Sequence, residues 1–322
     1  MSKVLVVGAS GQLGSAILNK LEETSLQGIA FIRSNSKFNK TLYSQVEVCI
    51  GNLSNSEDIN FACSKANFVI ATASAIVPRK GDKFGVDEIT LYQNLIDACQ
   101  NNKIEHLIYI SAFSSPFDHL IPEFRIKRKI EELIINSGVP YTIFRCAAFM
   151  DIYYAVMGSN LVLQKATNPT MLRCFWFTQL YHKLTNGILE KYGIAIVPGN
   201  GKTRQSFICV NDVAAFMVKA LTLPNTKNRT IQLGGHEAIS WNEVANIYSE
   251  LLNKSVKKIQ IPIYLLKSIS YLLKPFSPAS ENTLFILTLL GGYDNLIDMK
   301  LTCQEFDLNL KNTHQYVKDC II

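Results

Sequence analysis

Residues 2–23 read SKVLVVGASGQLGSAILNKLEE, and three pieces can be told apart in them. Val4–Val7 is a short, β-branched, unbroken apolar run, the pattern of a strand buried on both faces of a parallel sheet. Gly8, Gly11 and Gly14 follow, and apolar residues then recur at helical spacing through Ala16, Ile17, Leu18 and Leu21. Each glycine has a mechanical reason there. The first permits a sharp turn, the second lets backbone approach a pyrophosphate, and the third lets the helix pack on the strand. The helix start adds unpaired N–H groups and the positive end of its dipole. A tight turn with no ligand is the alternative, but strand, triplet and helix in this order favour a dinucleotide loop. Gly8, Ser10, Gly11, Gln12, Leu13 and Gly14 are its expected contacts.

Further along, GIAFIR (28–33), VEVCIGN (46–52), ANFVIATAS (66–74), HLIYISAFSS (106–115) and VPYTIFRC (139–146) read as strands. DEITLYQNLIDACQNN (87–102) has Leu91, Leu95, Ile96 and Cys99 on one helical stripe. PEFRIKRKIEELIINSG (122–138) is a helix entered through Pro122 and ended by Gly138. This alternation predicts right-handed βαβ units and a doubly wound, mostly parallel sheet with helices on both faces. Residues 151–192 break the rhythm with helical pieces and clustered aromatics, among them Phe175, Trp176, Phe177 and Tyr181. A Gly-Asn-Gly turn at 199–201 then suggests a hairpin, followed by a helix capped by Asn211 or Asp212 and a strand at 229–235. A capping box formed by Ser240 and Glu243 opens another helix. The expected division is a nucleotide-binding core at 1–150, an aromatic insertion at 151–192, a return to the core at 193–235 and a small substrate or lid region at 236–322.

The hydrophobic fraction of 48% and charged fraction of 18% are those of a folded globular chain. No stretch has the roughly 18 unbroken apolar residues of a spanning helix, and the first residues carry no leader pattern, their apolar run being the first strand. YLLKSISYLLKPF (264–276) is amphipathic and weakly basic; core packing is expected of it, with peripheral membrane contact as the alternative. The 8 cysteines lack paired spacing, so neither a disulfide framework nor a metal site is expected. A net charge of +6 suits an anionic ligand without implying nucleic acid. A reducing compartment, cytoplasm or plastid stroma, follows.

VLVVGASGQLG, GVPYTIFR, PGNGKTRQSFICVNDVAAFMV and IQLGG together resemble the NmrA-like, atypical short-chain dehydrogenase/reductases, a circle that includes isoflavone reductases, divinyl chlorophyllide reductases and photosystem II assembly factors. The resemblance implies a Rossmann-type α/β fold with a small interleaved C-terminal region over the substrate. It also implies an NAD(P)H site. Arg33 stands at the end of the second strand, where NAD-binding relatives of the fold place an acid. With Ser34 and Lys37 beside it, it suits a 2′-phosphate, so NADP(H) is expected over NAD(H). Ala73 and Ser74, at the end of the fourth strand, and Lys127 complete the expected cofactor contacts. At the adenine end, Asn52 replaces the aspartate common in relatives.

The usual Tyr-x-x-x-Lys of such enzymes is incomplete. Lys127 is present, but the position four before it is Glu123, expected to be a poor proton donor near neutral pH. Isoflavone reductase-like members rely on the lysine itself, which makes Lys127 and Ser111 the catalytic candidates. Arg128 and Lys129 read as a solvated basic face. A pocket bounded by Ser111–Ser115, Phe149, Met150 and the aromatic insertion would hold a small or medium apolar substrate. Two functions stay open: an NADP(H)-dependent oxidoreductase, and a non-catalytic NADP(H)-binding sensor or assembly factor.

Overall fold

In a computed structural model describing residues 1–34, 38–74, 88–173 and 175–322, the strands in chain order are β1 (Lys3–Val7), β2 (Gln27–Ile32), β3 (Glu47–Ile50), β4 (Phe68–Ala71), β5 (His106–Ala112), β6 (Tyr141–Cys146), β7 (Ile194–Pro198), β8 (Arg204–Gln205), β9 (Arg229–Leu233), β10 (Ile239–Ser240) and β11 (Lys257–Ile261). Seven of them form one parallel sheet in the order β3-β2-β1-β4-β5-β6-β9. The order reverses between β1 and β4, which opens a crevice at the carboxyl ends of these two strands, where ligands bind in folds of this kind. This is the expected Rossmann-type doubly wound α/β sheet.

The helices are α1 (Gln12–Glu22), α2 (Ser56–Cys63), α3 (Glu88–Asn101), α4 (Pro122–Asn136), α5 (Met150–Val156), α6 (Leu161–Lys165), α7 (Trp176–Thr185), α8 (Ile188–Tyr192), α9 (Val210–Ala220), α10 (Trp241–Leu251), α11 (Ile263–Leu273), α12 (Pro278–Gly292), α13 (Lys300–Phe306) and α14 (Thr313–Ile321). Successive strand residues point to opposite faces, so each apolar run feeds two cores. Val6, Ile70, Ile108 and Phe144 pack under α1 and α9. Leu5, Val69, Leu107 and Ile143 pack under α2, α3 and α4. Burial of each such side chain contributes about 1.5–3 kcal/mol. A third cluster, around Tyr154, Phe207, Trp241 and Tyr248, joins α5, α10, α12 and α14.

Three expectations are corrected. The turn at 199–201 makes no hairpin: β7 pairs in parallel with β11, and β8 pairs with β10. Neither Asn211 nor Asp212 caps α9. Its first N–H, that of Val210, donates to the Asp151 carboxylate of α5 at 2.8 Å, while Asp212 accepts from the Lys311 backbone at 3.0 Å. Helix α11 packs on the core as expected, through Leu266, Ile269 and Leu273, while Tyr264, Leu265, Tyr271 and Leu272 stay exposed. Arg128 is no part of a free basic face, its guanidinium being fully engaged as described below. The Ser240–Glu243 capping box forms as expected.

Candidate active site

The glycine loop follows β1 directly. Gly8 has φ +89°, a conformation that side chains disfavour, and a Cβ there would lie 2.8 Å from the backbone of Ala73. A Cβ on Gly14 would lie 2.3 Å from the Gly8 carbonyl, so helix and strand touch at this residue. Gly11 differs. Its Cβ would meet only the Gly8 oxygen at 3.1 Å and the Arg173 guanidinium at 3.6 Å, leaving a concave cradle. The Gly11 N–H bonds back to Gly8 and that of Ser15 to Gly11, so Gln12, Leu13 and Gly14 present the unpaired N–H groups of the first turn. No acid occupies that turn. Gln12 is 7% exposed; its Oε1 accepts from the Thr170 N–H at 3.0 Å, and its Nε2 is buried with no hydrogen-bond partner among the described residues. An orphaned buried donor beside a helix N-terminus fits an anion such as a diphosphate.

A cavity of about 420 Å³ runs from Gly11–Gly14 past Ser74 to Lys127 and Glu123, roofed by Met171, Phe177 and Tyr181 of the insertion. Gly8, Ser10 and Ala73 are not on the cavity wall; the Ala73 carbonyl accepts from the Tyr92 hydroxyl at 2.7 Å. Arg33 and Ser34 follow β2, beyond the cavity, and Lys37 lies outside the described residues. Asn52 is committed locally, accepting from the Ser54 N–H at 3.1 Å. Ser111 and Phe149 line the cavity, whereas Ser114 and Ser115 line a separate one of about 160 Å³ and Met150 is absent from the wall. No cluster of metal-ligating side chains occurs among the described residues.

Lys127 is 4% exposed. Its Nζ donates to the Ile110 carbonyl at 3.3 Å, lies 3.7 Å from Glu88 Oε1, and sits 5.0 Å from the centre of the Tyr109 ring. An ammonium has three donors, so this one is pinned against the sheet yet keeps capacity toward the cavity. Sequence reasoning missed the group beside it. All five N–H donors of Arg128 are used, on Asp118, Ser111, Glu131 and the carbonyls of Ala112 and Phe113. Glu131 also takes the Arg145 guanidinium and, at 2.5 Å, the Ser111 hydroxyl. Ser111 therefore donates to Glu131 and accepts from Arg128, and this network fixes the loop after β5. An arginine inside the buried run YTIFRC was the available signal, since it requires an acid nearby.

Burial pushes the Glu131 carboxyl up, but bonds from Arg145 and Ser111 and the charge of Arg128 outweigh it and hold it below its ordinary value. Glu131→Gln is expected to cost about 3 kcal/mol, the low end for breaking a buried pair, because both arginines keep some solvent contact. The carboxylate contribution is full above the unfolded pKa of about 4.3 and is lost as pH falls through the lower folded value. Denaturant melts across acidic pH should fall more steeply for the native chain than for Glu131→Gln.

The chain matches the NmrA-like family over residues 1–309. It belongs to that family. Among curated NmrA-like relatives, photosystem II assembly factor Ycf39 of Trieres chinensis is 26% identical over 275 residues, covering 83% of this chain and 74% of that protein. An isoflavone reductase homolog, A622-like, of Nicotiana tabacum is 24% identical over 275 residues, covering 81% and 77%. Among solved structures, Citrobacter sp. triphenylmethane reductase complexed with NADP(H) superposes with a TM-score of 0.72 at 20% identity, covering 99% of this chain and 100% of that one. At such identity the likeness establishes the fold of this NmrA-like chain.

Proposed function

We propose that this NmrA-like protein is an NADP(H)-dependent reductase of a small or medium apolar acceptor. One observation carries the reading: a single apolar cavity joins the phosphate cradle to a buried lysine. The fold neighbour bound to NADP(H), and a leucoanthocyanidin reductase–NADPH complex from Vitis vinifera, support the cofactor. Gly11, Gln12, Leu13 and Gly14 would hold the pyrophosphate, Arg33 and Ser34 (with Lys37) the 2′-phosphate, and Ser74 the cavity side of the nucleotide. When bound, the cofactor supplies a hydride. Lys127 would orient the nicotinamide ribose or the acceptor oxygen, and Ser111, already committed to Glu131, would act by positioning the wall. NADPH oxidation against enones, quinones and vinyl-bearing tetrapyrroles tests the reading, which fails if tight NADPH binding accompanies no oxidation across the panel.

Cofactor choice is tested separately. Arg33→Ala should weaken NADPH by about 1.5–3 kcal/mol, the range for a hydrogen bond to a charged group, and leave NADH nearly unchanged. Equal affinity of the native protein for both nucleotides would remove Arg33 from that role.

The second reading, a non-catalytic NADP(H)-binding assembly factor of the plastid stroma, is favoured by the exposed apolar residues Trp176, Leu180 and Leu184 of α7 and Tyr264, Tyr271 and Leu272 of α11. The Ycf39 relatives are in keeping with it.

A further inference from the structure

We infer that Glu123, in the place of the missing tyrosine, is the proton donor of the reduction. The inference rests on the reductase reading and adds the acid to it.

Glu123 is in the first turn of α4, on the wall of the large cavity, one helical turn before Lys127. Asn282 of α12, fully buried, grips it twice. The Glu123 backbone N–H donates to Asn282 Oδ1 at 3.0 Å, and Asn282 Nδ2 donates to Glu123 Oε2 at 3.1 Å. The backbone N–H can only donate, so it fixes which way the Asn282 amide points. Oε2 is therefore an acceptor, and the proton of a neutral Glu123 belongs on Oε1, which has no hydrogen-bond partner among the described residues. The groups facing this carboxyl are Lys127 on its own helix, Glu88 of α3, Tyr109 of β5, Tyr153 of α5 and Asn282. Burial pushes Glu123 up to about 7, although Lys127 and the Asn282 bond pull it down; the nearby Glu88 also raises it. A helix N-terminus favours a carboxylate only weakly at the surface, too little to reverse that burial. The acid is thus poised near the operating pH, where general acids work best.

In the step, the acceptor carbon gains a hydride from the reduced nicotinamide, and the acceptor's C=O electron pair moves onto oxygen. The Glu123 O–H bond breaks as the new O–H bond forms. The acceptor gains two electrons and two hydrogens, the nicotinamide is oxidised, and water reprotonates the carboxylate, which Lys127 and Asn282 stabilise meanwhile.

Three proteins test this: Glu123→Gln, which keeps an acceptor for Asn282; Glu123→Tyr, which restores the phenol four residues before Lys127; and Tyr153→Phe, which removes the hydroxyl of the cavity-lining member of the two tyrosines facing the carboxyl. With NADPH and the acceptor panel, native turnover should fall as pH rises through about 7. Glu123→Gln should lose about 10²–10⁴-fold and that pH limb, with NADPH affinity unchanged. Glu123→Tyr should recover part of the loss with the limb moved upward. Infrared titration without substrate should show a protonated carboxyl that disappears near the same pH and is absent from Glu123→Gln. A Glu123→Gln protein that keeps turnover and the pH limb overturns the inference alone, as does a loss that falls on Tyr153→Phe instead. No turnover by the native protein, with NADPH bound, overturns the reductase reading and this inference together.

Discussion

Lys127→Met, made together with Glu88→Gln, is expected to lower turnover about 10²–10³-fold, the cost of removing one preorganised donor from a reacting centre. The pair is needed because Lys127 lies 3.7 Å from Glu88, and both side chains are 5% exposed. Removing the cation alone would break a buried ion pair at a cost of about 3–5 kcal/mol, and lost folding would pass for lost catalysis. The informative result is how the loss divides. A lysine acting on the acceptor oxygen lowers kcat and leaves NADPH affinity close to native. A lysine that only holds the ribose lowers affinity and activity together, by the modest amount one charge-assisted bond supplies. Unchanged turnover in the double variant would remove Lys127 from the chemistry.

Two neighbouring glycines should respond in opposite ways. Gly11→Val places its side chain over the cradle, where a Cβ has only the Gly8 oxygen at 3.1 Å and the Arg173 guanidinium at 3.6 Å near it. The fold should survive with a native melting midpoint. NADPH binding should weaken about 10²–10⁴-fold, the loss of two charge-assisted hydrogen bonds. Gly14→Ala instead drives a methyl to 2.3 Å from the Gly8 carbonyl. Its cost appears as about 1–3 kcal/mol of lost stability. Calorimetry and nucleotide titration of both variants separate the two effects. Normal NADPH binding by Gly11→Val would put the phosphates elsewhere.

The sheet was legible because a parallel strand buried on both faces is a mostly apolar run, and β1, β2, β4 and β5 announce themselves in that way. β8 and β10 are two residues each and have no pattern of their own. Their pairing depends on where the chain travels after the turn at Gly199 and Gly201, both at positive φ, which is a long-range matter. The same limit explains Arg128. A Lys-Arg-Lys triplet on a helix looks solvated until tertiary structure brings Asp118, Glu131 and two carbonyls to the middle residue. Glu123 is hard to read for the converse reason. Its ordinary acidity was assumed, whereas burial raises its pKa against the pull of Lys127 and of Asn282, 159 positions away. Asp151 could not be seen as the cap of α9, since it precedes that helix by 59 residues. Local chemistry reads well from a sequence, and polar partnerships across the fold do not.

The placement of α9 and β9 has a consequence for how the chain is made. Residues 1–146 complete six strands, but the seventh strand and one of the two helices over Val6, Ile70, Ile108 and Phe144 come from residues 210–233. On a ribosome adding about 5–20 residues per second, the nascent polypeptide spends roughly 4–17 s between these two points. During that interval a strip of sheet beside α1 faces water, an adhesive surface for a holdase or for a neighbouring nascent chain. A fragment released at residue 150 keeps that strip uncovered permanently, so it should accumulate as aggregate instead of as a free-standing nucleotide-binding domain.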